Sequence, residues 1–155
     1  MLCVITLSLT GCGQGGQGKG QAVDFTVKDV AGQEYTLSSY YGKGGTVLIF
    51  FDRAAIDCKT MLTNLAVAKE GTSVRTVLVA KGEKDGGEIA AYLTENQLSA
   101  DVIIPDETGE ICAKYGVDAC PVIYFVDKDG VVKDASLSAN LTLSAAQKYI
   151  GYIAG

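Results

Sequence analysis

Residues 47–58 read VLIFFDRAAIDC, and this stretch decides how the chain folds. Its first five residues are all apolar, so we predict a β-strand that is buried on both faces. Cys58 then opens a segment in which Met61, Leu62 and Leu65 recur at helical spacing. A cysteine at a helix N-terminus is well placed for thiol chemistry, because the helix dipole and the unsatisfied N–H groups there stabilise a thiolate.

The cysteine pattern at this point of the chain is incomplete. A thiol centre at such a helix usually has the form Cys-x-x-Cys, but Ala55 stands where the first cysteine would be. The chain has 5 cysteines and no histidine. Without histidine, Ser–His and Cys–His catalytic pairs and most metal sites are excluded, so we expect neither a metal ion nor another cofactor.

The size and charge of the chain narrow the choice of function further. It has 155 residues, of which 48% are hydrophobic, and this suits one globular domain with a full core. The formal net charge is -5, so the composition does not indicate a basic surface for nucleic acid. We therefore expect no nucleic-acid partner.

The first twelve residues, MLCVITLSLTGC, have the length and apolar character of a signal-peptide core and are too short to span a bilayer. They end in LTGC at 9–12, which resembles the lipobox of bacterial lipoproteins and implies cleavage before Cys12 and a lipid on its thiol. We predict a lipoprotein signal peptide at 1–11, a lipid anchor and glycine-rich tether at 12–22, and a folded domain at 23–155. The alternative is that the first residues form a buried strand or are a cloning remnant.

The rest of the domain alternates between strands and helices. Two more long apolar runs, at 74–80 and 122–126, have the character of buried strands. Helical spacing appears at 88–97 and at 143–153, where Leu143, Ala146, Ile150 and Ile153 share one face. This alternation, closed by a hairpin and a last helix, predicts an α/β sandwich with a central mixed sheet, helices on both faces and an N-terminal β-hairpin.

Three stretches are together characteristic of one family. They are DFT at 24–26 with LSSYYGK at 37–43, the run at 47–59 that ends in Cys58-Lys59, and KYGVDACP at 114–121 followed by FVDKDG at 125–130. Through them the domain resembles the thioredoxin-like redoxins, and most of all the TlpA-like membrane-tethered thiol-disulfide oxidoreductases. The resemblance covers nearly the whole predicted domain.

The resemblance implies a thioredoxin-like sandwich and thiol–disulfide exchange, with protein thiols or disulfides as substrates. It also implies a cis peptide bond before Pro121, in a loop that binds the extended backbone of the substrate. By the same comparison, Ala55 replaces the exposed, attacking cysteine, and Cys58 is the buried second cysteine.

The predicted domain contains two further cysteines, Cys112 and Cys120. Cys120 directly precedes Pro121, and in the family this loop lies against the active-site helix. The resemblance therefore implies that Cys58 and Cys120 form a replacement catalytic pair. Cys112 with Cys120 is the competing pair, and a third interpretation is that all three are small buried hydrophobic residues.

Two functions follow from these interpretations. The first is an extracytoplasmic lipoprotein of the cell envelope, held to the membrane by the lipid on Cys12, that resembles a thiol–disulfide oxidoreductase with an atypical or degenerate active site. The second is a redox-inactive thioredoxin-fold module that binds a partner protein. A peroxidase matches less well, because its site needs threonine at the position of Ala55 and only Arg53 is available as its arginine.

Overall fold

The structure, a computed structural model, describes residues 20–54 and 58–155. The predicted signal peptide, Cys12, most of the predicted tether and Ala55 lie outside these residues. The division into signal peptide, tether and domain therefore stays a prediction.

The domain opens with a short antiparallel hairpin. Its strands are β1 (Thr26–Lys28) and β2 (Glu34–Thr36), and a 3-10 helix follows at Leu37–Tyr40. The turn is closed by Asp29, whose carboxylate accepts a hydrogen bond from the backbone N–H of Gln33 at 2.9 Å. Such local side-chain bonds are typical of Asp in turns. The N-terminal β-hairpin predicted from the sequence is present.

A mixed sheet of five strands forms the middle of the domain. Its strands are β3 (Thr46–Phe51), β4 (Arg75–Lys81), β5 (Val102–Asp106), β6 (Val122–Val126) and β7 (Val132–Ser136). They are arranged in the order β5-β4-β3-β6-β7, so β3 is central. β4 runs parallel to β3 and β5 parallel to β4, whereas β6 is antiparallel to β3 and β7 is antiparallel to β6.

Within the described residues, four helices flank this sheet: α1 (Lys59–Ala68), α2 (Gly86–Glu95), α3 (Glu110–Lys114) and α4 (Leu143–Ile153). Two of them begin with a side-chain cap, because the preceding Asp85 and Thr142 each accept a hydrogen bond from a backbone N–H of the first turn. None of the helices in the described part of the chain is both long and apolar enough to cross a membrane.

The sheet divides the apolar interior into two cores, because successive side chains of a strand point to opposite faces. From β3, Val47, Ile49 and Phe51 belong to the first core, together with α1, α2 and α4. Leu48 and Phe50 belong to the second core, together with the hairpin and α3. All six residues of β3 are buried, which confirms the interpretation of the unbroken apolar run.

The predicted α/β sandwich, with its mixed central sheet and helices on both faces, is confirmed. Leu143, the first residue of α4, is 37% exposed. The inward face begins one turn later, where Ala146, Ile150 and Ile153 are buried.

Both edges of the sheet are partly occupied by other segments of the chain. At the β7 edge, the backbone N–H of Val132 donates to the carbonyl of Gly20 at 2.8 Å. At the β5 edge, the N–H of Val30 donates to the carbonyl of Ile103 at 2.9 Å. Pro105, in the same edge strand, has no N–H to offer.

Candidate thiol site

The fold brings the three cysteines of the domain to one end of the sheet. β3, β4 and β5 are parallel, so their carboxyl ends lie side by side, and the antiparallel β6 begins at the same edge. Cys58 follows β3, Cys112 follows β5, and Cys120 precedes β6. In open α/β sheets this carboxyl edge is where binding sites are usually found.

Cys58 forms the N-cap of α1 and is entirely buried. Its carbonyl oxygen accepts a hydrogen bond from the N–H of Leu62 at 3.0 Å, which closes the first helical turn. Its side chain is 0% exposed and belongs to the first core with Met61 and Leu65. Complete burial withholds the Cys58 sulfur from a substrate.

Cys120 is half-buried, whereas Cys58 and Cys112 are buried. The Cys120–Pro121 peptide bond is cis, and the Cys120 side chain packs against the second core. Burial raises the pKa of the Cys120 thiol, the Lys81 ammonium lowers it, and the Asp52 carboxylate adds to the rise. The thiol is therefore mostly protonated at neutral pH.

Cys112 lies in α3 and is 2% exposed. The buried Asp106 carboxylate, at the end of β5, accepts hydrogen bonds from the backbone N–H groups of Ile111 and Cys112 at 3.2 and 3.0 Å. These bonds fix the start of α3. Burial raises the pKa of the Cys112 thiol to about 12, and the Asp106 carboxylate and Cys120 add to this rise.

The sheet separates Cys58 from the other two cysteines in the packing of the domain. Cys58 is part of the first core, whereas Cys112 is part of the second core and Cys120 packs against it. No disulfide joins these three cysteines to one another. The pairing of Cys58 with Cys120 therefore stays a prediction.

Arg53, in the loop after β3, is held by two carboxylates. Its Nε donates to Glu83 at 2.9 Å, and a terminal nitrogen donates to Glu88 at 2.8 Å. These contacts tie the loop to Glu83, between β4 and α2, and to Glu88 in the first turn of α2. The charged guanidinium is already paired with two carboxylates, which argues against its use as the arginine of a peroxidase site.

Three charged residues around the thiols were not singled out in the sequence. Asp52 directly follows β3, Lys81 ends β4, and Asp106 ends β5. Their position in the sequence could have identified them, because each stands at the carboxyl end of an apolar strand, where binding sites of α/β sheets are usually found.

Within residues 20–54 and 58–155, no three His, Cys, Asp or Glu side chains are grouped so as to hold a metal ion.

A cavity of about 400 Å³ flanks the loop that carries Cys120. One wall is formed by residues 116–119 and the other by side chains that include Val122, Tyr124 and Ala135. The Lys81 ammonium donates a hydrogen bond to the carbonyl of Asp118, which stabilises the wall formed by residues 116–119. The lining is mainly apolar, which suits an apolar side chain of a partner.

Residues 19–135 match the family model described as the AhpC/TSA family, and this span is most of the chain. The chain therefore belongs to the AhpC/TSA family, which agrees with the predicted redoxin resemblance. A search of the curated proteins found no match.

Solved structures with the same fold include several thiol proteins. A secreted Mycobacterium tuberculosis disulfide oxidoreductase, described as homologous to E. coli DsbE, is 21% identical with a TM-score of 0.70, covering 83% of this chain and 95% of that chain. The peroxidoxin BcpB of the same organism is 18% identical with a TM-score of 0.72, covering 88% of this chain and 97% of that chain. The pneumococcal exposed lipoprotein thioredoxin Etrx1 of Streptococcus pneumoniae is 25% identical with a TM-score of 0.63, covering 84% and 99% of the two chains. The fold is thioredoxin-like.

Proposed function

We propose that this protein is an extracytoplasmic, lipid-anchored thioredoxin-like protein that exchanges disulfides with other proteins through an atypical centre, in which Cys120 is the attacking thiol. One observation carries this proposal. Cys120 is half-buried beside Pro121, whereas Cys58 and Cys112 are 0% and 2% exposed. The sequence has alanine at position 55, where the redoxins have their attacking cysteine, so in this proposal Cys120 takes over that role.

The exchange requires the Cys120 thiol to lose its proton before its sulfur attacks a disulfide. Lys81 favours this ionisation, but burial opposes it more strongly and keeps the pKa raised. Because the thiolate fraction grows about tenfold per pH unit below the pKa, the exchange rate rises steadily from neutral to alkaline pH.

The cavity beside Cys120 supports the choice of a protein as the substrate. Its apolar wall suits a side chain of the partner close to the reacting disulfide. In the redoxins that this chain resembles, the loop of Pro121 pairs with an extended substrate backbone. We assign the same role to Pro121 here, with the cavity as a pocket for a neighbouring apolar side chain.

The test of this function is a comparison of Cys120→Ser with the unaltered full-length protein. Treated with oxidised glutathione, the unaltered protein is expected to form its first mixed disulfide at Cys120, as mapped by mass spectrometry of peptides. Cys120→Ser is expected to slow the reduction of insulin disulfides by about tenfold or more, because the remaining thiols are buried. Cys58→Ala is the matched control, and its rate is expected to stay near that of the unaltered protein.

An unchanged rate in Cys120→Ser would overturn the exchange function. The second candidate, a redox-inactive module that binds a partner protein, is favoured by the absence of a cysteine at position 55 and by the raised pKa of the Cys120 thiol. For such a module, Cys120→Ser would leave both partner affinity and the negligible insulin-reducing rate unchanged.

The proposed location rests on the N-terminal residues and on relatives. The apolar run before LTGC at 9–12 supports a cleaved lipoprotein signal with the lipid on Cys12. Two proteins of the same fold are described as secreted and as an exposed lipoprotein.

Cys12→Ser is expected to move the protein from the membrane fraction to the soluble fraction of bacterial cells. The reason is that the thiol of Cys12 would carry the lipid, and serine accepts no thioether. Incorporation of a labelled fatty acid measures the same property directly and should be lost. Cys3→Ser is the control, with unchanged fractionation, and retention of Cys12→Ser in the membrane would argue against the anchor.

A further inference from the structure

We propose that Cys112, and not Cys58, is the second thiol of this centre, which attacks the mixed disulfide on Cys120 and closes an internal Cys112–Cys120 disulfide. The inference rests on the proposed exchange at Cys120 and names its partner thiol. It differs from the Cys58–Cys120 pair that the family resemblance implies.

The course of the backbone brings Cys120 back towards Cys112. The short helix α3 ends with Gly116 in a left-handed conformation, with a φ of 66°, and the N–H of Val117 donates to the carbonyl of Cys112 at 2.8 Å. Cys120 follows Val117 by three residues, so the Cα atoms of Val117 and Cys120 are at most about 11 Å apart. A disulfide needs the Cα atoms of its two cysteines within about 7 Å of one another. Because Val117 is hydrogen-bonded to Cys112, this short loop allows Cys120 to approach Cys112 to that distance.

The packing of the side chains favours the same pair. Cys112 is a member of the second core, and the half-buried Cys120 side chain packs against that core. Cys58 is a member of the first core, under α1. A Cys58–Cys120 bond therefore has to join groups that pack into different cores, whereas a Cys112–Cys120 bond stays within one.

The charges around the two thiols support this placement. Cys120 is close enough to Cys112 for a negative charge on its sulfur to disfavour ionisation of the Cys112 thiol, and the Lys81 ammonium acts on both. Charge–charge effects of this kind fall off with distance and with intervening solvent. The two thiols and Lys81 therefore form one electrostatic cluster.

The exchange would proceed in two balanced steps. The Cys120 thiol loses its proton to solvent, and its sulfur attacks one sulfur of the partner disulfide. A Cys120–partner bond forms, the partner's own disulfide bond breaks, and the leaving thiolate takes up a proton. The Cys112 thiol then loses its proton and attacks the Cys120 sulfur, which releases the second partner thiolate to be protonated. The partner disulfide gains two electrons and the cysteine pair loses two.

The environment of Cys112 suits a second thiol better than an attacking one. Its sulfur is buried beside the Asp106 carboxylate, so the thiol is protonated and withheld from solvent. A buried thiol of this kind reacts with a neighbouring sulfur rather than with a disulfide in solution, because the neighbouring sulfur is held close to it at a high effective concentration.

The test follows the fate of glutathione on Cys120 in three full-length proteins: unaltered, Cys112→Ala and Cys58→Ala. After treatment with oxidised glutathione, peptide mapping is expected to show a Cys112–Cys120 disulfide in the unaltered protein and in Cys58→Ala. Cys112→Ala is expected to accumulate Cys120–glutathione about tenfold or more above the unaltered protein, because the thiol that removes glutathione is gone.

The outcomes separate this inference from the proposed function. Accumulation in Cys58→Ala, with a Cys58–Cys120 peptide in the other two proteins, would overturn the role of Cys112 and leave exchange at Cys120 intact. Persistent Cys120–glutathione in the unaltered protein would also overturn it. No mixed disulfide on Cys120 in any of the three would overturn the proposed function itself. Mapping of the unaltered protein decides the question even if Cys112→Ala fails to fold.

Discussion

Replacing Ala55 by cysteine is expected to restore a Cys-x-x-Cys centre and to raise the rate of insulin reduction at pH 7 by roughly tenfold or more. The new thiol would stand three residues before Cys58, the N-cap of α1. The thiols of Cys-x-x-Cys motifs have lowered pKa values, about 7 in thioredoxin instead of about 8.5 for a free cysteine, so the thiolate fraction at pH 7 rises from about 3% to about 50%. The buried Cys58 would then act as the second thiol, a role that full burial does not prevent.

Ala54→Cys is the matched control for this prediction. Ala54 is exposed, and its backbone N–H donates to the Asp52 carboxylate at 2.9 Å. A cysteine there stands one residue too far from Cys58 for the usual motif, so the rate is expected to change little. A gain in Ala54→Cys without one in Ala55→Cys would contradict the alignment of this loop with the redoxin active site.

Gly45→Ala is expected to lower the free energy of unfolding by about 3 kcal/mol, at the upper end of what overpacking costs. A Cβ atom at Gly45 would lie 2.4 Å from the carbonyl oxygen of Ile153 and 2.9 Å from its Cβ. Ile153 is the last residue of α4, and its carbonyl is backbone, which no side-chain rotation moves aside. The helix must therefore shift away from the start of β3.

Urea denaturation followed by circular dichroism measures this effect as a lower midpoint at an unchanged slope. Gly151→Ala is the control in the same helix, because nothing lies within 4 Å of a Cβ built there. It is expected to stabilise the protein by about 0.5–1 kcal/mol through the better helix propensity of alanine. An equal midpoint for Gly45→Ala and the unaltered protein would contradict the close contact between α4 and β3.

The fold was predictable from the sequence because its strongest signals are local. The run at 47–51 has no polar residue, which identifies the central strand without any knowledge of its neighbours. The helical spacing after Cys58 and at 143–153 likewise identifies α1 and α4. The exposure of Leu143 was not predictable from spacing. The first residue of a helix has the same periodicity as the later residues of its face, but it lies at the edge of the core rather than inside it.

The candidate site was predictable only in part. The resemblance to the redoxins implied that Cys58 and Cys120 lie on neighbouring loops. It does not show which face of the sheet each sulfur packs against, and this decides between the two pairings. The ion pairs of Arg53 with Glu83 and Glu88 were also hidden, because the partners are 30 and 35 residues away.

The partly occupied edges of the sheet have a consequence for self-association of the protein. An exposed edge strand invites a neighbouring copy to add its own strand, and this begins aggregation. Here the segment at Gly20 pairs with the start of β7. At β5, Val30 occupies one backbone carbonyl and Pro105 has no N–H, so fewer groups can pair with another strand. These contacts leave fewer open hydrogen-bonding groups for a neighbouring copy, which disfavours growth into fibres.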